Sequence, residues 1–351
     1  MARPGVAFCG SGTIASVHAA CAAELGLPVL AVASRTPEHA ERLAQAYGAP
    51  VVSYADLPGE ATMVVVATPP QCHAADVLRM LDAGATVMVE KPLCRTLAEA
   101  DALVAAAEQH PGRLLYAENL AYSPVVQRLV QMTPQVGALS HVEVRCLQGL
   151  PTWGDFGTDE WGGGALFDLG VHPVAVALLV ANSAGLGRPA AVSARLTGGP
   201  GHGSDEHAEV WLHHRGGLVT HVVASWQAAD VVWDVQVAGD RGVLRAELLP
   251  TLGLEVDGEP VHVGRRAAKV AGFADFGYVD QLDELAAMAA RRANDSRPMQ
   301  PLMTAAFGRE VLQVVTAAYV SAGMGAAEVP LPLTGRRDLT PLQWWRGVNP
   351  S

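Results

Sequence analysis

The sequence lacks an excess of positive charge. Its 24 lysines and arginines are outnumbered by 35 aspartates and glutamates, which gives a formal net charge of −11. A protein that binds nucleic acid needs a basic surface to neutralise phosphates. The charge balance therefore argues against a nucleic-acid partner.

The sequence also lacks paired cysteines and long apolar runs. Five cysteines are dispersed over 351 residues without C-x-x-C spacing, which is typical of a reducing compartment. The most apolar late stretch, residues 171–180, contains His172 and Pro173 and is too short to cross a bilayer. The histidines after residue 200 show no clean ligand spacing, so we predict no metal site. We expect a soluble, cytoplasmic protein without a membrane partner.

The first third of the chain alternates Val-rich runs with Ala-rich helical patterns. This alternation predicts a doubly wound parallel sheet whose strands are buried on both faces. The predicted strands are 6–9, 29–33, 51–53, 63–67, 86–90 and 114–117, and the predicted helices are 13–25, 37–47, 72–83 and 97–109.

After about residue 121 the pattern changes. Single helices are predicted at 123–132 and 165–180, with two more near the end, and strand-like runs lie at 139–150, 190–196, 208–214, 218–226, 231–237 and 242–248. Partial alternation in two of the runs indicates a sheet with one face open to solvent or a partner. We predict an α/β domain over residues 1–121 and an α+β domain with an open, mostly antiparallel sheet over residues 122–351.

A glycine motif lies between the first predicted strand and the first predicted helix, Gly10-Ser11-Gly12-Thr13-Ile14-Ala15. In this G-x-G-x-x-A pattern the first glycine makes a tight turn and the second lets the backbone approach a pyrophosphate, while the third small residue packs helix against strand. A glycine-rich turn can also be only a turn. Its position in a βαβ unit favours a dinucleotide site formed by Gly10, Gly12, Thr13, Ile14 and Ala15.

Ser34-Arg35-Thr36 follows the second predicted strand. An acidic residue at this point, about 20 residues after the glycines, would bind the adenosine ribose and repel a 2′-phosphate. The hydroxyls and the guanidinium found here suit a phosphate instead. We therefore expect Ser34, Arg35 and Thr36 to favour NADP(H), with NAD(H) as the alternative if Arg35 stacks on adenine or is merely solvated.

Two motifs follow later strands, Thr68-Pro69-Pro70 and Glu90-Lys91-Pro92. Ligands of parallel sheets bind at the carboxyl ends of the strands, and prolines make such loops rigid. We expect Thr68, Pro69, Pro70, Glu90 and Lys91 to contact the cofactor. His73 is included with them, although the position also suits a residue that starts a helix. Alone, Lys91 would be an ordinary strand-end lysine.

A third motif lies in the second half, Gly162-Gly163-Gly164-Ala165-Leu166-Phe167-Asp168-Leu169-Gly170-Val171-His172. The glycines allow a backbone close to a ligand. Asp168 and His172 are four residues apart and share one face of the predicted helix. Asp168 could simply favour the helix dipole, and His172 could be a core histidine, but their pairing favours a functional role.

Together these motifs resemble the glucose-fructose oxidoreductase/inositol dehydrogenase/MocA-type family. The motifs occur in the family's order over the whole chain, with a late Tyr319-x-Ser321. The resemblance implies a Rossmann domain followed by an open mixed sheet that often serves oligomerisation, so we expect a homo-dimer or homo-tetramer. It also implies that Lys91, Asp168 and His172 are the catalytic residues and contact the substrate.

The chemistry of alcohol oxidation gives this trio distinct roles. A hydride moves to the nicotinamide while a base takes the hydroxyl proton. We expect His172 to be the base, Lys91 to polarise the substrate oxygen and Asp168 to orient one or both. Coupled groups titrate as a set, so the proton carrier could also be Lys91. The family often has Asp where this chain has Ala175, which weakens the inference about the substrate but leaves the trio intact.

Further binding residues are predicted at Asn119, Tyr122, Trp153 and Trp161. The family often places a polar residue near the nicotinamide at the position of Asn119, and Tyr122 follows it as a substrate candidate. Trp153 and Trp161, with Asp155 between them, could stack on the C–H face of a sugar or simply pack beneath a loop.

The sequence thus predicts an NAD(P)-dependent oxidoreductase that transfers a hydride between nicotinamide C4 and a secondary alcohol or carbonyl of a sugar, polyol or related small molecule. One alternative is a cofactor-retaining lyase or glycosidase that oxidises its substrate only transiently. The other is a non-catalytic ligand sensor on the same scaffold.

Overall fold

The computed structural model describes residues 4–198, 203–291 and 299–347. The chain forms two compact units. The first contains Met1–Cys94, Glu99–Ser123 and Arg265–Arg309, and the second contains Arg95–Ala98, Pro124–Gly264 and Glu310–Ser351. None of the helices in the described ranges has the length and hydropathy that crossing a membrane requires.

The first unit contains a parallel sheet of five strands in the order β2-β1-β3-β4-β5. Its elements are β1 (Val6–Cys9), α1 (Thr13–Glu24), β2 (Val29–Ala33), α2 (Pro37–Tyr47), β3 (Met63–Val66), α3 (Pro70–Asp82), β4 (Thr86–Glu90), α4 (Leu97–Gln109) and β5 (Leu114–Ala117). Every residue of β1, β3, β4 and β5 is buried, as expected for strands covered on both faces. The predicted Rossmann fold is confirmed.

The predicted strand at 51–53 does not form. Val51 makes a single parallel bridge to Val32, and a short 3₁₀ turn, Tyr54–Asp56, follows. Val51 is 46% exposed, so this apolar run gains too little burial to extend the sheet. The structure therefore has one strand fewer in this region than the sequence predicts.

The second unit begins with a helix and continues as an extended sheet. Its elements up to residue 264 are α5 (Pro124–Met132), β6 (Leu139–Gly149), α6 (Ala165–Asp168), α7 (Val171–Ser183), β7 (Ala191–Gly198), β8 (Asp205–His213), β9 (Val219–Ser225), β10 (Gln227–Gly239), β11 (Gly242–Leu249), β12 (Gly253–Val256) and β13 (Glu259–Pro260).

The single helix predicted at 165–180 is two helices, α6 and α7. They meet at Gly170, where an added Cβ would lie 2.6 Å from the carbonyl oxygen of Leu166. The chain can turn this tightly only without a side chain at residue 170. Asp168 and His172 therefore belong to successive helices rather than to one.

Residues 265–309 return to the first unit. They contain α8 (Ala271–Asp275) and α9 (Tyr278–Arg291). α9 packs against α1, and Leu282 and Leu285 join the buried cluster that contains Ala15 and Ala19. The sequence predicts this segment in the second domain, whereas the structure places it in the first unit. An amphipathic pattern shows that a helix packs on a core, but it does not show which core.

The remaining elements are α10 (Ala305–Gly323), β14 (Val329–Pro330) and α11 (Pro341–Trp345). Of these, β14 completes the second sheet by pairing with β7. The strand order is β13-β12-β11-β10-β6-β9-β8-β7-β14. Only the β6–β9 pair is parallel among these neighbours, so the predicted mostly antiparallel sheet is confirmed.

The two faces of this sheet differ in polarity. Val142, Val144 and Cys146 of β6 are buried, whereas the residues between them are polar and partly exposed. On that polar face Arg145 forms a two-pronged ion pair with Asp234. The rings of Trp211 and His221 stack there with centroids 5.4 Å apart. α7 packs against the sheet at β6 and β9.

Candidate active site

The loop between β1 and α1 has room for a ligand at Gly12 but not at Gly10. Gly10 has a φ of +111°, and a Cβ there would lie 2.5 Å from the carbonyl oxygen of Ala67. At Gly12, which precedes α1, an added Cβ would meet nothing within 4 Å, and no side chain caps the helix. Ser11 Oγ is buried without a hydrogen-bond partner. This bare helix start fits the pyrophosphate of a dinucleotide.

Ser34, Arg35 and Thr36 form the turn from β2 into α2. Ser34 Oγ accepts a hydrogen bond from the Thr36 amide at 3.2 Å. Arg35 and Thr36 are exposed. The guanidinium thus lies at the surface of the first unit, just beyond the carboxyl end of β2.

His73 links the two loops that follow β3 and β4. It is 1% exposed, with Nε2 at 2.7 Å from the carbonyl oxygen of Thr68 and Nδ1 at 2.9 Å from that of Pro92. Burial lowers the pKa of His73, although both carbonyls act to raise it. The buried imidazole of His73 lies between the two carbonyls and therefore fixes the spacing of the Thr68 and Lys91 loops.

The carboxylate of Glu90 bonds both to α1 and to the backbone of Lys91. Oε1 is 2.6 Å from Nε2 of His18 on α1, and Oε2 accepts a hydrogen bond from the Lys91 amide at 3.0 Å. Burial acts to raise the pKa of Glu90, but the hydrogen bond and charge of His18, with the charge of Lys91, hold it below its usual value. Both oxygens are thus engaged by the protein, and they connect the glycine-loop helix to the turn that carries Lys91.

Asn119 and Tyr122 connect the end of β5 to the segment around α8 and α9. Asn119 Nδ2 donates to the carbonyl oxygen of Phe276 at 2.8 Å. The hydroxyl of Tyr122, a residue 3% exposed, donates to the carboxylate of Glu284. A cofactor or substrate would have to displace these bonds to use the same polar groups.

Sequence reasoning missed His18 and Tyr278. The Tyr278 ring meets His18 edge-on with centroids 5.7 Å apart. Burial and the nearby carboxylates of Glu90 and Glu118 raise the pKa of Tyr278. His18 follows the glycine motif closely, but nothing in the sequence joins it to a glutamate 72 positions away.

In the second unit, a buried carboxylate holds the triple-glycine loop. Asp205 accepts hydrogen bonds from the amides of Gly164 at 3.0 Å and Leu166 at 2.7 Å. The hydroxyl of Tyr319 donates to the same carboxylate and accepts from the Gly164 amide at 3.0 Å. Burial raises the pKa of Asp205, while these hydrogen bonds oppose the rise. This network orients the backbone just before Asp168.

Glycine is required in this loop because the packing is tight. A Cβ on Gly164 would lie 2.1 Å from the carbonyl oxygen of Asp205, and one on Gly163 would lie 2.4 Å from Cβ of Phe167. From the sequence, these glycines are expected to make room for a ligand. The structure shows that Gly163 and Gly164 make room for the protein's own network.

Asp168 lies at the end of α6, and His172 lies at the start of α7. Their exposed fractions are 6% and 4%. The imidazole of His172 packs near the indole of Trp233, with ring centroids 5.7 Å apart. Ala175, one turn further along α7, is fully buried, so the family's usual carboxylate would enter an apolar interior here.

Trp153 and Trp161 belong to an aromatic cluster with Phe156 and Trp226. Phe156 lies at the centre, with ring centroids 5.3 Å from Trp153, 5.0 Å from Trp161 and 4.6 Å from Trp226. Trp153 is 52% exposed. Asp155 is also exposed, so both residues are open to solvent beside the cluster.

The predicted site residues thus fall into two groups. The loops at the carboxyl ends of β1, β2, β3, β4 and β5 carry the residues predicted to bind cofactor, together with Lys91. Trp153, Trp161, Asp168 and His172 belong to the second unit. Within the described ranges, no three or more His, Cys, Asp or Glu side chains are grouped as metal ligands.

Comparison with known families agrees with this division. Residues 5–118 match the model of an oxidoreductase family with an NAD-binding Rossmann fold, and residues 127–245 match the GFO/IDH/MocA C-terminal domain. The two matches follow each other along more than half of the chain. The chain belongs to the GFO/IDH/MocA family.

Two of the relatives are named for reactions on sugars. A dTDP-3,4-didehydro-2,6-dideoxy-α-D-glucose 3-reductase of Saccharopolyspora spinosa is 32% identical over 231 residues, 61% of this chain and 65% of that one. The D-glucoside 3-dehydrogenase of Escherichia coli K12 is 32% identical over 205 residues, 54% and 55% of the two chains. The aligned regions span only 32% to 66% of the curated relatives' own length.

A solved structure extends the similarity to nearly the whole chain. GenD2 from gentamicin A biosynthesis, crystallised with NAD, is 25% identical, with a TM-score of 0.78 over 94% of this chain and 97% of its own. The GFO/IDH/MocA family description also names NAD. These comparisons do not support the predicted preference for NADP.

The buried network around Asp205 yields a stability prediction. Tyr319→Phe removes the hydroxyl shared by Asp205 and the Gly164 amide, so the free energy of unfolding should fall by about 1–3 kcal/mol. The matched control is Tyr116→Phe, because the Tyr116 hydroxyl is buried without a partner. Urea titration should show a loss for the first variant and none for the second. Equal behaviour of the two would contradict the network.

Proposed function

We propose that this protein is an NAD(P)-dependent oxidoreductase that interconverts a secondary alcohol and a carbonyl on a sugar, polyol or related small molecule. The observation that carries the proposal is the bare start of α1 at Gly12, at the carboxyl edge of the parallel sheet. The names of the GFO/IDH/MocA relatives support the substrate class.

The first unit has the features that cofactor binding requires. We propose that the amides of Thr13, Ile14 and Ala15 face the pyrophosphate and that Thr68, Pro69 and Pro70 form the wall beside it. When bound, the nicotinamide supplies C4 as hydride donor or acceptor. For His73, Glu90, Asn119 and Tyr122 we propose positioning roles, because their polar groups are already bonded within the unit.

Lys91, Asp168 and His172 are proposed to serve one reaction. In the oxidation direction, the Lys91 ammonium donates a hydrogen bond to the substrate oxygen and stabilises negative charge as it develops there. His172 receives the hydroxyl proton while the hydride leaves the carbon that bears this hydroxyl. In the alternative, Lys91 starts as the neutral amine and receives the proton in place of His172. Asp168 orients its partners by hydrogen bonding. Trp153 and Trp161 contact the sugar ring.

Steady-state kinetics test this assignment. We expect Lys91→Met and His172→Asn each to lower kcat by about 10²–10⁴-fold, with the NAD dissociation constant unchanged for His172→Asn. The matched control is Lys269→Met, because Lys269 is exposed and has no proposed role. Undiminished turnover in Lys91→Met would contradict the assignment.

Analysis of the products in the same assays distinguishes the proposed function from its two alternatives. A lyase or glycosidase would retain NAD, convert a sugar and yield no net reduced cofactor. A sensor would bind sugar and cofactor without converting either. Net formation of NADH or NADPH matched by one carbonyl product is the result that the proposed function predicts.

Arg35 is proposed to favour the phosphorylated cofactor. Its exposed guanidinium follows β2, with no acidic residue in Ser34-Arg35-Thr36 to repel a 2′-phosphate. We expect NADP to bind more tightly than NAD, and Arg35→Ala to weaken NADP binding about tenfold with little effect on NAD. Titration calorimetry gives both constants, and equal affinity of the unaltered protein for the two cofactors would refute the preference.

We also propose that the protein forms a homo-dimer or homo-tetramer through the second sheet. The exposed sheet face that carries Arg145 and the stacked Trp211 and His221 rings supports this, because aromatic residues and arginine are enriched at subunit interfaces.

A cytoplasmic location also stays a prediction, which rests on the dispersed cysteines of the sequence.

A further inference from the structure

A cavity of about 360 Å³ opens in the second unit, beside the loop that follows β6. Residues of that loop, of the start of β8 and of the turn between β9 and β10 line it, notably Trp153, Asp155, Phe156, Ser204, Glu206 and Trp226. Its volume is at the lower end of the range for small-molecule sites, which suits a ligand of one or two rings.

The cavity is lined by aromatic rings that could hold a sugar ring. Phe156 and Trp226 are 8% and 3% exposed and form a rigid base, while Trp153 is 52% exposed at the surface. Exposed indole faces stack well on the C–H faces of pyranoses. A tryptophan left this open to solvent would gain burial when a ring covered it.

The side chains that line this cavity pack against the segment that carries Asp168 and His172. Phe156 and Trp226 share a buried cluster with Ala165 and Leu169, which flank Asp168 along the chain. Trp233 packs on the same cluster, and its ring lies 5.7 Å from that of His172. A ligand in the cavity would therefore lie against the same packed group of side chains as His172.

The charged side chains among the described lining residues, Asp155 and Glu206, are both acidic. Asp155 is exposed, and Glu206 is half-buried with its Oε2 3.3 Å from Nε2 of Gln227. Among the described residues that line the cavity, none is basic. The guanidinium of Arg346 donates to the carbonyl oxygen of the lining residue Gly157 at 3.0 Å, but its charge is paired with Asp159 at 2.6 Å.

This charge pattern discriminates between classes of sugar. A phosphate placed beside Asp155 and Glu206 would meet two like charges, whereas hydroxyl or ammonium groups would find hydrogen-bond acceptors. One relative is named for a dTDP-sugar and another for a glucoside, and both are 32% identical to this chain. Overall similarity therefore does not choose between the two classes.

We propose that the Trp153 cavity binds a sugar or cyclitol ring that carries no phosphate, and that Asp155 and Glu206 select against nucleotide-diphosphate sugars. The inference rests on the proposed function, since it names the substrate class of that reaction. Asp155 and Glu206 act as specificity residues, and Trp153 provides the stacking surface.

Binding measurements test this proposal separately from turnover. Methyl β-D-glucoside, D-glucosamine and dTDP-glucose are titrated into the NAD-saturated protein, and their dissociation constants are obtained by calorimetry. We expect at least one of the first two to bind about tenfold or more tightly than dTDP-glucose. Trp153→Ala should weaken that binding about tenfold, Trp153→Phe should retain most of it, and NAD affinity should not change in either variant.

Charge-neutralising variants test the selection itself. Glu206→Gln should narrow the ratio of affinities between D-glucosamine and dTDP-glucose about fivefold or more, whereas Glu259→Gln, at an exposed position on β13, should leave the ratio unchanged. Tighter binding of dTDP-glucose, no binding of any of the three, or unaltered affinity in Trp153→Ala would each overturn the proposal. If sugars bind as expected but none is oxidised, the proposed function fails and the cavity assignment stands.

Discussion

In a parallel sheet every strand ends at the same edge, and this constraint determines where the first unit can bind a ligand. The carboxyl ends of β1, β3 and β4 bring the loops at Gly10, Thr68 and Lys91 side by side. Buried polar contacts then fix those loops: His73 bonds the Thr68 loop to the Lys91 loop, and Glu90 joins the Lys91 loop to α1 through His18. The site is thus rigid because its loops are bonded to one another rather than to solvent.

The second unit uses a similar device at a helix start. The buried carboxylate of Asp205 accepts the amides of Gly164 and Leu166 and the hydroxyl of Tyr319, which satisfies donors that a short helix cannot satisfy itself. The backbone before Asp168 is held in place by these bonds. In both units, therefore, residues distant in sequence position the groups proposed to do chemistry.

Sequence patterns predicted the features that depend on local periodicity and spacing. They gave the five strands of the first sheet, the glycine motif and the mostly antiparallel second sheet, because burial on one or both faces leaves a direct pattern. They did not place α9 in the first unit or pair His18 with Glu90, since such contacts depend on the tertiary fold. One predicted helix is two helices that meet at Gly170, where a Cβ would lie 2.6 Å from the carbonyl oxygen of Leu166. Periodicity does not show this close approach.

The central claim is that the start of α1 binds a dinucleotide, and Gly12 tests it most directly. Residue 12 has an extended conformation that valine adopts readily, and an added Cβ would touch no protein atom within 4 Å. Because valine is a poorer N-cap than glycine, Gly12→Val should lower the free energy of unfolding in urea by no more than about 1 kcal/mol. It should raise the NAD dissociation constant at least about tenfold, because a side chain there blocks the approach of the pyrophosphate. An unchanged NAD dissociation constant in a fully folded Gly12→Val protein would contradict the account.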